Sequence, residues 1–160
     1  MTTPQLDEQL CFALYAASRA TTNAYRPGLA RLGLTYPQFV TLLVLWRNDG
    51  LGVATLAQRL HLDASTLSPL LKRMEAMGLV ERRRSAQDER RVTIHLTAAG
   101  TELAGPATEV HHEVADQSAI TPDEADQLRT LARRLLDTLE PSNPGSSSAD
   151  TPAHPIKETP

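Results

Sequence analysis

The single cysteine of the chain, Cys11, lies in a stretch that also holds Tyr15 and Tyr25, two of only three tyrosines in 160 residues. This combination suits thiol redox chemistry. A thiolate is stabilised near a helix N-terminus and by phenolic hydroxyl donors, and oxidation converts it to a sulfenic acid. The alternative is a buried, inert thiol, which is the usual state of a free cysteine.

The spacing of these residues indicates where a sulfur–tyrosine contact can form. Tyr15 follows Cys11 by four residues, so both lie on one face of a helix. Tyr25 follows by fourteen residues, which is about 21 Å along a straight helix. One chain cannot easily bring Tyr25 to Cys11, but an antiparallel helix of a second chain can. The spacing therefore predicts a sensor site shared between two subunits.

Several classes of protein are disfavoured by composition. A lone cysteine excludes an intramolecular disulfide and argues against a cysteine-built zinc site. His112 and Asp116 have the spacing of a metal pair but lack an evident third ligand, so we predict neither metal nor cofactor. No nucleophile–base pair, phosphate loop or paired carboxylates stand out, so we do not expect an enzyme. Without an apolar run of about 18–20 residues or a secretion signal, we expect a cytoplasmic protein with no membrane contact.

The apolar spacing predicts the elements that position these residues. A first helix extends from Pro4 to Ala30, and a second, apolar almost all round and therefore central, begins after Thr35 and ends at Asp49-Gly50. Two short helices follow, the second starting after Asp63 and stopped by Gly78. They form a helix-turn-helix. Pro69 lies inside the second of these helices and predicts a local bend or opening.

The remaining sequence predicts a hairpin, two helices and a tail. Residues 79–96 contain two strand-like runs with a charged tip. Thr97 caps a helix that extends to about Asp116, and Thr121 caps the last helix. The apolar stripe of that helix consists of Leu128, Leu131, Leu135 and Leu139. Residues 141–160 are rich in proline, serine and glycine, so we expect a disordered tail.

A helix-turn-helix followed directly by a hairpin is a winged helix, whose second helix enters the DNA major groove. The predicted helix presents short polar donors and two cations, and the hairpin adds further arginines. The net charge is −3, but residues 72–91 hold seven bases and four acids. Such a local excess suits a polyanion. The candidate DNA-binding residues are Ser65, Thr66, Ser68, Lys72, Arg73, Arg82, Arg84, Asp88 and Arg90, with Asp88 orienting Arg90 toward the minor groove.

The leucine stripes of the first and last helices are too extensive for the winged helix to cover. A homodimer built from both chain ends would bury them. Its two recognition helices would then address a near-palindromic operator in double-stranded DNA.

The stretches "DASTLSPLLKRMEAMGLVERRRSAQDERRVTIHLTAAG", "LCFALYAASRA", "AYRP" and "LGLTYPQF" resemble the MarR family of winged-helix repressors, and within it the branch that senses organic hydroperoxides. The resemblance implies a mainly α fold with a small β-hairpin wing. It implies one domain over 5–140, with DNA binding by about 52–96 and dimerisation by about 5–32 and 97–140.

The same resemblance implies a reactive cysteine whose sulfur is hydrogen-bonded by tyrosines. The matching positions are Cys11, Tyr15, Tyr25 and Tyr36. Residues 112–117 contain no second cysteine, so we expect the one-cysteine type, whose oxidised sulfur is capped by a low-molecular-weight thiol, cyclised or over-oxidised. The expected function is a repressor that leaves its operator when an organic hydroperoxide oxidises Cys11. A repressor relieved by a phenolic ligand, with Cys11 inert, and a thiol peroxidase are the alternatives.

Overall fold

The computed structural model describes residues 5–84 and 92–140. It divides into two compact units, residues 1–119 and 120–160, which are treated separately below. The first unit contains six helices and three strands in its described part. The helices are α1 (Leu10–Arg31), α2 (Tyr36–Arg47), α3 (Val53–Arg59), α4 (Ala64–Ala76), α5 (Ala98–Glu102) and α6 (Ala104–Gln117), and the strands are β1 (Leu51–Gly52), β2 (Val80–Arg84) and β3 (Val92–Leu96).

The start of α1 differs from the prediction. A 3-10 turn spans Leu6–Glu8, and α1 begins only at Leu10. Cys11 is therefore the second residue of the helix. The helix continues past Pro27 to Arg31. The missing N–H of Pro27 leaves the carbonyl of Asn23 without its helical partner, and Asn23 is an exposed residue.

Helix α2 is central, as predicted, and packs against α1, α3, α4 and α6. Its N-terminus is fixed by a capping box in which the backbone N–H of Thr35 donates to Gln38 Oε1 at 2.8 Å. Phe39, Leu42 and Leu45 are buried in the core. The expectation of burial almost all round is too broad, because Leu43 is 47% exposed.

The helix-turn-helix is formed by α3 and α4, with Leu67, Leu71 and Met74 fully buried. Gly78 has a φ of +70° one position beyond the C-cap, as the predicted stop requires. Asp63 is the N-cap residue by position, but its side chain makes no capping hydrogen bond. Pro69 lies within a continuous helix, because the carbonyl that it deprives of a partner, that of Ser65, lies on the exposed face.

The predicted hairpin is present, and it belongs to a three-stranded antiparallel sheet in the order β1-β3-β2. Val80 pairs with Leu96 and Arg84 with Val92, and Ile94 is fully buried beneath the sheet. The third strand, β1, was not predicted from the sequence, and its Leu51 pairs with Ile94. Asp88 and Arg90 of the predicted tip, and the tail 141–160, lie outside the described residues.

The helix expected from Thr97 to about Asp116 is divided at Leu103 into α5 and α6. Thr97 caps α5 as predicted, with its hydroxyl accepting from the Gly100 N–H at 3.1 Å. The division places Pro106 in the first turn of α6, where a missing N–H costs little. Trp46 donates from Nε1 to the Gly100 carbonyl at 2.9 Å and ties α2 to α5.

The described part of the second unit is one helix, α7 (Pro122–Leu139). Thr121 is the N-cap in a capping box with Glu124, as predicted. None of its residues is buried, and Leu128, Leu131 and Leu139 are among the exposed large apolar side chains. None of the described helices alone is long and apolar enough to cross a membrane; α1 and α2 meet that test only as a pair, bent by 79°.

Candidate functional site

The outer face of α4 and the adjoining strand β2 form one open groove of about 690 Å³. Ser65, Ser68 and Lys72, all candidates from the sequence, line it together with Arg82 of β2. Thr66, Arg73 and Arg84 are exposed but do not line the groove. The winged-helix geometry thus brings four of the predicted positions to one surface.

Glu75 is a groove residue that the sequence reasoning missed. It lines the same surface, and its Oε2 accepts a hydrogen bond from Arg82 Nε at 2.8 Å. Glu75 follows Lys72 by three residues on the same helix, and this spacing could have indicated that both side chains lie on one face. On the next position of β2, Arg83 donates to Glu81 at 2.6 Å. Two of the three arginines of β2 therefore already hold a carboxylate.

The base of the wing is held by Asp49. Its Oδ1 accepts from the Leu96 N–H at 2.8 Å and its Oδ2 lies 3.1 Å from His95 Nδ1, while His95 Nε2 lies 3.0 Å from the Thr93 hydroxyl. Burial raises the pKa of Asp49, but hydrogen bonds from Leu96, His95 and Gly50 outweigh it and hold that pKa below its usual value. The ionised carboxylate thereby joins the loop that follows α2 to strand β3.

Cys11 and Tyr15 lie near the start of α1, and both are exposed. Arg19 donates to the Tyr15 hydroxyl at 3.3 Å, and its guanidinium lies 5.6 Å from the centre of the tyrosine ring. The sulfur is thus at the surface of the single chain, in the first turn of a helix.

Tyr25 and Tyr36 lie together, away from Cys11 along α1. Their ring centres are 5.3 Å apart, and Phe39 lies 5.5 Å from Tyr25. Tyr25 is only 7% exposed, and its hydroxyl is 2.7 Å from Nδ1 of His111 on α6. Burial, followed by the neighbouring Tyr36, raises the pKa of Tyr25, so the phenol keeps its proton at neutral pH.

His111 was not identified from the sequence. Only its neighbour His112 was considered, together with Asp116, for metal binding. Within residues 5–84 and 92–140 no group of three or more His, Cys, Asp or Glu side chains is placed to hold a metal ion. The contact with Tyr25 joins residues 86 positions apart, so no local pattern indicates it.

A second cavity, of about 430 Å³, lies between the end of α1 and the start of α2. Its polar lining comes from Thr22, Asn23, Arg26 and Thr35, and Tyr36 forms part of its wall. Leu29, Leu34 and Pro37 supply apolar surface. The cavity adjoins the paired tyrosines through Tyr36.

The helix pair α3–α4 followed by the hairpin β2–β3 defines a winged-helix protein, with the polar groove on its second helix. Residues 23–105 match the family described as "Transcriptional regulator SarA/Rot". The chain belongs to this family of transcriptional regulators, which are winged-helix proteins of the MarR type. The family-level resemblance found in the sequence is thereby confirmed.

Two relatives and one solved structure illustrate the similarity. The chain is 42% identical over 139 residues to the organic hydroperoxide resistance transcriptional regulator of Bacillus subtilis (strain 168), covering 87% of this chain and 95% of that protein. It is 49% identical over 134 residues to the HTH-type transcriptional regulator TtmR of Methylorubrum extorquens (strain PA1), covering 84% and 65% respectively. Reduced AbfR bound to DNA matches with a TM-score of 0.71 and 32% identity, over 84% of this chain and 92% of that one. AbfR, from Staphylococcus epidermidis, is also known in an overoxidized, DNA-bound form and in a disulfide form.

Proposed function

We propose that the chain is a transcriptional repressor that binds double-stranded DNA through about residues 52–96. Helix α4 enters the major groove with Ser65, Ser68 and Lys72 toward the DNA, and β2 follows the phosphate backbone. The observation that supports this is the groove shared by α4 and Arg82. AbfR, which is 32% identical to this chain, is known bound to DNA in its reduced form.

The repressor is proposed to act as a homodimer built from about residues 5–32 and 97–140. Leu10 and Leu14 on α1 are 61% and 41% exposed, although they continue an apolar stripe. Leu128 and Leu131 on α7 are each 55% exposed. Apolar faces of this kind on a soluble chain are typical of surfaces that another subunit covers. A second copy of the chain covers them and sets the spacing of the two recognition helices on a near-palindromic operator.

The proposed sensor is Cys11, and one geometrical observation supports it above all. The sulfur is exposed in the first turn of α1, whereas Tyr25 lies far along the same helix and contacts Tyr36 of α2. In an antiparallel dimer the paired tyrosines of one subunit meet the Cys11 thiolate of the other. The relative from Bacillus subtilis is named for organic hydroperoxide resistance, which fits an alkyl peroxide as the inducer.

The modification of Cys11 proceeds in two steps, oxidation to a sulfenic acid and capping by a thiol. The Cys11 thiolate attacks the terminal oxygen of an organic hydroperoxide; an S–O bond forms, the O–O bond breaks, and the leaving alkoxide takes a proton to become an alcohol. The sulfur is oxidised to sulfenic acid and the peroxide is reduced. A low-molecular-weight thiol then displaces hydroxide as water and forms a mixed disulfide on Cys11. Since overoxidized AbfR is known bound to DNA, we assign release in this chain to the bulk of the thiol cap.

The test is operator binding by the reduced protein before and after cumene hydroperoxide plus a small thiol. Wild-type protein should bind at low salt, with an affinity that falls steeply as salt rises, and should release DNA after treatment. Cys11→Ser should bind and not release. Lys72→Ala should reduce the salt slope by about 0.9 through the loss of one phosphate contact, whereas Arg133→Ala on α7 should leave it unchanged. A Cys11→Ser protein that releases DNA in the same way would refute the sensor.

One observation favours a second candidate function, a repressor relieved by a phenolic ligand. The 430 Å³ cavity is large enough for a small aromatic molecule and combines the Arg26 cation with apolar surface from Leu29 and Leu34. A phenolate or carboxylate would pair with Arg26. Titration with salicylate, followed by DNA binding in wild-type and Arg26→Ala proteins, separates this candidate from oxidation.

A further inference from the structure

The Tyr25 hydroxyl and the His111 imidazole form a short polar contact, 2.7 Å between Oη and Nδ1. The two rings lie nearly parallel, with an interplanar angle of 22° and centres 6.3 Å apart. Tyr25 is held on its other sides by Tyr36 and Phe39. The phenol ring is therefore fixed, and its hydroxyl is directed at one partner.

The phenol of Tyr25 has a single hydroxyl proton, so it can donate only one hydrogen bond, either to His111 or to a sulfur. If its O–H donates to an unprotonated Nδ1, no proton is left for a thiolate, and the phenol presents lone pairs to a negative charge. If Nδ1 instead carries a proton and donates it to Oη, the phenolic O–H is free to donate elsewhere. The direction of this one hydrogen bond decides whether Tyr25 is a donor to sulfur.

We propose that His111 is a positioning residue that donates from Nδ1–H to Tyr25 and so directs the Tyr25 hydroxyl proton to the Cys11 thiolate of the partner subunit. This rests on the proposed sensor function and specifies how its tyrosine is set. His111 touches neither the sulfur nor the peroxide and acts only through Tyr25.

The groups around His111 are compatible with this role. His112 on the same helix has its ring centre 5.9 Å away. Glu113 is held by Arg31 of α1 at 2.8 Å, so that this nearby carboxylate is already paired. From α2, Tyr36 contacts the Tyr25 ring. His111 itself is exposed, so its substitution should not disturb the core.

The experiment compares three variants of the full-length protein. His111→Phe keeps a ring and removes the hydrogen bond, and His111→Asn restores an N–H close to the position of Nδ1. His112→Phe is the matched control, since it removes the neighbouring imidazole and leaves the Tyr25 contact. Two quantities are measured: the thiolate fraction of Cys11 at pH 7, from absorbance at 240 nm, and its second-order rate with cumene hydroperoxide. Circular dichroism and operator binding of the reduced protein verify folding.

We expect His111→Phe to lower the rate about three- to tenfold and to reduce the thiolate fraction, as the loss of one hydrogen-bond donor predicts. His111→Asn should recover part of both, and His112→Phe should match wild type. In a Tyr25→Phe background, His111→Phe should have no further effect, because the two residues act as one unit.

Equal rates in wild-type and His111→Phe proteins would overturn the inference and leave the sensor intact. A full effect of His111→Phe in the Tyr25→Phe background would also overturn it. If His111→Phe does not fold, His111→Ala takes its place: a rate lowered about three- to tenfold supports the inference, and a rate equal to wild type overturns it. A wild-type Cys11 that does not react with the peroxide at all removes both the sensor and the inference.

Discussion

Arg82 on β2 donates from Nε to Oε2 of Glu75 on α4 at 2.8 Å, and this ion pair joins the wing to α4 inside the groove. The pair places a negative charge beside Lys72 on the surface proposed to face DNA. It orients Arg82 and also cancels much of its charge. The ion pair therefore fixes the position of Arg82 but weakens the attraction of Arg82 for a phosphate.

Replacing Glu75 by Gln should tighten DNA binding. The amide keeps a hydrogen-bond acceptor for Arg82 but removes the charge, so Arg82 becomes available to a phosphate. We expect several-fold higher affinity for duplex DNA and a salt slope steeper by up to about 0.9. Glu109→Gln on α6 makes the same charge change away from the groove and should have little effect. Weaker binding by Glu75→Gln would mean that orientation of Arg82 outweighs its charge.

Asp49→Asn should lower stability at neutral pH and have little effect in acid. Because its hydrogen bonds hold the pKa of Asp49 below the ordinary value, the carboxylate stabilises the fold above the ordinary carboxyl pKa of about 4, and this contribution is lost as the pH falls through the lowered value. The side chain is 48% exposed, so we expect a loss below about 1 kcal/mol at pH 7. Urea unfolding at fixed protein concentration, at pH 7 and pH 3, measures it. A difference that is the same at both pH values would exclude the carboxylate charge as its cause.

Two glycines give opposite predictions for the same substitution. A Cβ at Gly100 would collide with the backbone carbonyl of Leu79, which is not free to move, whereas one at Gly105 meets nothing within 4 Å. Gly100→Ala should therefore cost about 1–3 kcal/mol of unfolding free energy. Gly105→Ala in α6 should add about 0.4–1 kcal/mol, because alanine restricts the unfolded chain. Thermal or urea unfolding of the two variants tests the close approach of α5 to the Leu79 carbonyl, and equal effects would contradict it.

Local chemistry made much of the fold predictable. Thr35, Thr97 and Thr121 were identified as helix starts because a capping hydroxyl acts within three residues of itself. The winged helix followed from the order of a helix pair and an alternating strand. The division of the predicted helix at Leu103 was missed. Pro106 lies in the first turn of α6 and could have indicated that a new helix begins there. The two-residue strand β1 is too short to show any alternation.

The candidate sites were only partly predictable, because spacing in the sequence indicates contacts within one helix but not contacts between distant segments. Residues that share a helix face, such as Ser65, Ser68 and Lys72, were found from spacing alone. The contact of Tyr25 with His111 and that of Asp49 with His95 depend on packing between distant segments. The spacing of residues in the sequence does not indicate such pairs.

The central claim is that the chemical state of Cys11 determines DNA occupancy. The most direct test is a cumene hydroperoxide titration in the presence of a small thiol, with Cys11 followed by mass spectrometry and operator binding measured on the same samples. We predict that the fraction of DNA released equals the fraction of Cys11 carrying the thiol cap. Protein whose Cys11 is fully capped but remains bound to its operator, or DNA release while Cys11 is still unmodified, would contradict the account.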